Sequence, residues 1–223
     1  MKAPHASGSG AMAIILTALL FLGTGCALGR DVVDVRLAPS ANPTAGPLVR
    51  IERVTDRRVF QANPPEPNIP SLENADDIKN PAVTSRAVAR KRGGFGKALG
   101  EIVLPEGRTV AGLVEEALGR ALQEAGYRLV RKEDPPVAEV IPIEADIDQF
   151  WAWFSPGFWQ VAAEFEARVS MKAPMPAFQS GEPVKGAARV EGMAITQDDW
   201  QKVVNQGLED LSRNFRERLE TSR

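Results

Sequence analysis

The chain has 223 residues, 43% hydrophobic and 25% charged, with a formal net charge of −2. A folded chain of that size buries roughly 70% of the surface it exposes when unfolded, and the composition is that of a globular domain, which excludes wholesale disorder and a multi-span membrane protein. The single Cys, Cys26, and the single His, His5, both lie in the first 26 residues. What folds beyond them therefore has no internal disulfide, no Cys/His zinc site and no Ser-His-Asp or Cys-His catalysis.

Lys2 is the only charged side chain in residues 1–25, and an apolar to weakly polar run extends from Ala11 to Leu22. As a helix this run spans about 18 Å. The hydrocarbon core of a bilayer is about 30 Å thick, so the run reads as the apolar region of a secretory signal. Gly23, Thr24 and Gly25 lead directly to Cys26. The arrangement resembles a bacterial lipoprotein signal, although Gly23 stands where that pattern has Leu and Leu22 lies one position earlier. The resemblance implies a diacylglycerol group on the Cys26 thiol, removal of residues 1–25, and acylation of the new amino terminus. Ala27 in place of Asp after the Cys implies the outer membrane, with the body facing the periplasm. The bland alternative is a plain signal peptide cleaved after Gly25 or Ala27. Lipidation accounts for a lone thiol in an exported protein, and several acyl chains at about 0.8 kcal/mol per buried methylene exceed what stable anchoring needs. Losing Lys2 with the leader leaves the body mildly acidic, without the broad basic field that nucleic acid binding requires.

Residues 26–31 then read as a lipid-attachment Cys and tether, and 32–223 as one domain. The segments VVDVRLAP and PLVRIERVTDRRVF predict two short strands, with Val49, Ile51, Val54 and Val59 on the buried side of the second and a bulge or strand end near Thr55 and Asp56. Pro64, Pro65, Pro67, Pro70 and Pro81 make residues 61–83 a long surface loop. The stretch from Thr84 to Gly107 predicts a strand, a glycine turn and a second strand ending at Pro105. A helix follows, capped by Thr109, with an apolar face from Val110 to Ala125 and a stop at Gly126.

Odd positions Ile141, Ile143, Ala145, Ile147, Trp151 and Trp153 are apolar, and so are all odd positions from Trp159 to Met171 beyond a Pro156–Gly157 turn. This predicts a hairpin with a three-residue loop, Ser155 to Gly157, that sets Ile147 opposite Phe165 and Trp153 opposite Trp159. Asp148 then lies near Glu164, and Asp146 near Glu166, on a solvated face. A small-residue strand over VKGAARVEGMA comes next. The last helix opens at Thr196, with Asp198 and Asp199 in its first turn and a stripe from Trp200 to Leu219. The sum is an α+β fold: a largely antiparallel twisted sheet with two amphipathic helices packed on one face.

The turn RKRGGFGKALG lacks the Walker pattern, since Lys91 and Ala98 stand where Gly and Ser or Thr belong, and it precedes a strand, unlike the dinucleotide fingerprint. It reads as a solvated turn whose Arg90, Arg92 and Lys97 offer cations to anionic headgroups or sugar phosphates. Glu144, Asp146, Asp148, Glu164 and Glu166 read as a charged face, not a calcium or hydrolase site. A Ser170–Lys172 dyad can be drawn but has no oxyanion donors. Trp151, Trp153 and Trp159 share the parity of the core. Phe150, Phe154 and Phe158 fall on the other parity, and an exposed aromatic tip there is the best partner surface.

The order of a Cys26 signal, a strand ending VTDRR, the RKRGGFGKALGEIVLPEGRTV stretch, the AGLVEEALGRALQEAGYRLV helix with its Gly-Tyr exit, a long hairpin and a capped final helix resembles the YajG-type outer-membrane lipoproteins. That family brings no established activity. The expectation is a non-enzymatic, lipid-anchored envelope protein. It is tied to the membrane by its acyl chains and binds an envelope protein or assembly, without cofactor, metal or nucleotide. A lipid- or glycan-binding module of a transport system is the second reading, and an envelope hydrolase a remote third.

Overall fold

Alternating apolar residues over Ile141–Ser155 and Val161–Lys172 make two long strands, β6 and β7, that form the backbone of the sheet in a computed structural model describing residues 29–92, 98–135, 137 and 139–222. In chain order the other strands are β1 (Asp31–Val32), β2 (Leu48–Asp56), β3 (Ala87–Arg92), β4 (Ala98–Val103), β5 (Arg128–Leu129) and β8 (Val184–Gly192). The helices are α1 (Pro81–Thr84), α2 (Val110–Glu124) and α3 (Gln197–Thr221). The α+β class holds.

The β6–β7 and β7–β8 ladders are antiparallel and long. On its other edge β6 pairs in parallel with β2 along its first half and touches β3 through Ala89 and Ala152 further on. Thus one long strand carries two short sheets side by side, β2–β5 and β3–β4–β1.

Both long helices pack on the same face, as their apolar stripes require. Thr109 caps α2 by accepting from Gly112 N–H, and Thr196 and Asp199 form a capping box on α3. Gly126, at φ 81°, ends α2 with the Gly126 N–H on Gln123 and the Tyr127 N–H on Leu122, the paired bonds of a Schellman stop. The small residues of β8 let α3 lie close. A Cβ on Gly186 would stand 2.7 Å from the Gly207 carbonyl oxygen, and one on Gly207 would stand 1.9 Å from Phe165 Cδ1. Gly207→Ala is therefore a test of sign. Helix propensity favours Ala by about 1 kcal/mol. Overpacking against a buried ring costs about 1–3 kcal/mol. A net loss of stability in urea denaturation is expected, and a gain would show that α3 does not press on Phe165.

The hairpin departs from its predicted register. Ile147 pairs with Val169, Trp153 with Glu164 and Ser155 with Ala162, and the ladder shifts between Ile147 and Gln149. The residue inserted there, Asp148, makes a β-bulge that exchanges the two faces of β6. Before it Ile143, Ala145 and Ile147 face the helices; after it Phe150 and Ala152 do so, and Phe150 meets Phe165 edge to face at 4.8 Å. The three-residue loop, the Ile147–Phe165 and Trp153–Trp159 pairings, and the carboxylate pairs Asp148–Glu164 and Asp146–Glu166 are all replaced.

The bulge works because the second face is also covered. Trp151 is buried there among Leu72, Val83, Ala87 and Val103, with Phe60, Ile78 and Trp153 against them. Leu72, Ile78 and Val83 come from the Pro-rich segment, which holds a 3-10 turn at Ala75–Lys79 as well as α1 and is a lid on the sheet, not a free surface loop. Val59, expected inside, is exposed beside this lid.

Arg58 pins the lid. Its fully buried side chain holds both oxygens of Asp56 and donates to the carbonyls of Thr84, Ala87 and Phe150.

Candidate functional site

The predicted surface residues divide. Phe150 is fully buried in the helix-side core, and Phe154 is half-buried against it. Neither is a free binding residue, and for Phe150 the expectation is overturned by the bulge. Phe158 does stand out, 89% exposed, and it is joined by Trp159, 81% exposed, which the parity argument had placed in the core. Their rings meet edge to face at 4.8 Å. Met193, 85% exposed, follows Gly192, which pairs with Val161 just beyond the turn. The tip is thus Phe158, Trp159 and Met193, standing past two packed cores.

Arg90 and Arg92 lie at alternate positions of β3. Arg90 is not a surface cation: only 8% exposed, it donates to the Ala62 carbonyl, and its Nε has no partner among the described residues. Arg92 donates to Ser71 Oγ at 3.4 Å, and burial followed by the charge of Arg90 lowers its pKa. Among the described residues neither guanidinium has a carboxylate within ion-pair distance. Glu101, across the ladder from Arg90, instead accepts from Glu73 N–H and pairs with Arg30. Lys97 and Cys26 lie outside the described residues.

The charged face of the hairpin is an ion-pair network. Asp146 sits between Arg57 at 2.8 Å and Lys172 at 3.1 Å, and the hydrogen bond from Arg57 holds its carboxyl below the usual range. Ser170 donates to Asp148 at 2.6 Å. Glu144 pairs with Arg53, Glu164 with Arg189 and Glu166 with Arg168. The hydroxyl and the ammonium of the drawn Ser170–Lys172 dyad are thus each turned to a different carboxylate and not to each other, as that dyad would require.

A cleft of about 610 Å³ lies elsewhere, between α2 and the segments 37–40 and 129–133. Its floor is Ile51 and Leu129, and Glu115, Glu116, Arg120, Arg131 and Lys132 are on its walls. It is not legible in the linear order, because the 37–40 side is far in sequence from the other two sides, α2 and residues 129–133. The aromatic tip, by contrast, was visible as a cluster; only which of its rings emerge was hidden.

Among the described residues no helix is long and apolar enough to cross a membrane. No family model matches this chain, and no curated protein matches it. Among solved structures it is similar to a crystal structure of a protein described only as uncharacterized, at 10% identity and a TM-score of 0.36, over 85% of this chain and 96% of that one.

Proposed function

We propose that this chain is a lipid-anchored protein of the bacterial envelope, attached through Cys26 to the outer membrane with its body in the periplasm, and that it acts by binding an envelope component and not by catalysis. The observation that carries the reading is the hairpin turn that presents Phe158 and Trp159 to solvent. Two adjacent aromatic rings, stiffened by the packed strands behind them, supply large contact area at low cost in side-chain entropy. The layout resemblance to YajG-type lipoproteins and the signal before Cys26 support the address. The engagement of Ser170, Lys172 and the hairpin carboxylates in ion pairs and hydrogen bonds supports a non-enzymatic role.

Palmitate labelling of cells tests the anchor. The wild-type protein should take up label and fractionate with membranes, and Cys26→Ser should do neither. A processed wild-type product with its thiol free, or one left in the cytosol with residues 1–25 attached, would overturn the reading.

A further inference from the structure

Strand directions bring to one end of the sheet three features that are far apart in sequence. β3 runs parallel to β6 with Ala89 beside Ala152, so its last residue, Arg92, is about level with Ser155. β4 starts beside Arg92 and runs back, and β1 runs parallel to β4 with Asp31 beside Ile102. Gly29 therefore enters at the start of β4. Gly100 there has φ 109°, and a Cβ on it would stand 2.1 Å from the Gly29 carbonyl oxygen. The Phe158–Trp159 turn and Met193 are at this same end, across the β6–β7–β8 ladders.

We infer that the Phe158–Trp159 turn inserts into the interface of the same membrane leaflet that holds the Cys26 lipid, so that the body stands on the bilayer at two points. This rests on the anchoring reading above and names the envelope component that the tip meets. Gly29 lies three positions after Cys26, a reach of at most about 10 Å. β1 and β6 are three strand spacings apart, about 14 Å. A lipid on Cys26 thus holds the tip end of the sheet close to the membrane surface. The chemistry of that end suits the position. Residues 155–160 and 192–197 contain no ionisable side chain, so insertion strips water from no charge. Trp is enriched at the membrane–water interface, where its ring is half in each phase. On the strands leading to the tip, Glu164 and Glu191 are both held by Arg189. Arg92, without a carboxylate partner among the described residues, ends β3 on the side where lipid phosphates would lie.

The test uses the full-length lipid-modified protein in vesicles of phosphatidylethanolamine and phosphatidylglycerol, with or without brominated acyl chains. Trp151 and Trp200 are buried and Trp153 half-buried. The difference between wild type and Trp159→Phe therefore isolates the emission of Trp159. In vesicles that emission should shift to the blue, be quenched by the brominated chains and lose its accessibility to iodide. Emission that stays red and open to iodide, with no effect of bromine, overturns the inference. So does shielding that arises only when envelope proteins are added, which would give the tip a protein partner. Flotation separates the two readings. If the anchor is real, the Phe158→Ser/Trp159→Ser double variant floats with vesicles as wild type does, whatever the tip touches. Wild type that fails to float removes the anchor and this inference with it.

Discussion

Arg58→Met should lower stability by about 3–5 kcal/mol, the cost of removing one partner from a buried charged network. Met fills much of the volume but supplies no donor. It would leave the Asp56 carboxylate and the carbonyls of Thr84, Ala87 and Phe150 without the guanidinium that now satisfies them at 2.7–3.0 Å. Arg58→Lys should recover little of the loss, because one ammonium cannot span acceptors laid out for a planar fork. The damage should also be local. The guanidinium lies 5.1 Å over the Phe60 ring, which in turn meets Trp151 edge to face at 5.7 Å. Losing it should loosen the lid, seen as early proteolytic cutting within residues 57–86 and a red shift of Trp151 emission. A loss under about 1 kcal/mol in urea denaturation, the range of ordinary surface substitutions, would show that the lid is held by its apolar contacts alone.

Phe150→Ala should cost about 3–5 kcal/mol, the range for emptying a buried aromatic site, whereas Phe158→Ala should change stability by no more than about 0.5 kcal/mol. The two residues have the same type and the same parity, and lie eight positions apart on either side of one turn. Before the bulge at Asp148 the odd positions of β6 face the helices; beyond it the even ones do, which sends Phe150 against Phe165 and Trp151 to the other side. Equal, small effects from both substitutions would mean that the register does not shift and that Phe150 belongs to the exposed tip. A large effect at Phe158 would mean that the turn folds back onto the body, and would remove the docking end proposed for it.

The contrast shows where sequence reading stopped in this chain. Periodicity could not detect the bulge, because Phe150, Trp151, Ala152, Trp153 and Phe154 are apolar at both parities and fit either register. The lid was hidden for a related reason. Its prolines correctly exclude a long strand or helix, but nothing local says that Leu72 and Val83 are to be buried against Trp151. Arg58 was visible only as one of two adjacent arginines, Arg57 and Arg58. One turns out to an aspartate on the hairpin face and the other turns in to three carbonyls. The split between them is set by the end of β2 and the path of the chain after it.

What the sequence determined by itself were the features whose causes lie within a few residues: both long helices with their caps and buried stripes, the Gly126 stop, the glycine-bearing strand under α3, the α+β class and the uncharged aromatic turn. Capping, helical spacing and chain reversal are local interactions, so their signals survive in the linear order of residues. Tertiary structure alone decided the parity exchange in β6, the burial of Phe150 and Arg90, the emergence of Trp159, and the meeting of Gly29 with the aromatic tip at one end of the sheet. Each of these depends on which distant strand lies alongside and what covers the second face. That choice is made by the free energy of the whole packed core, to which no single segment holds the key.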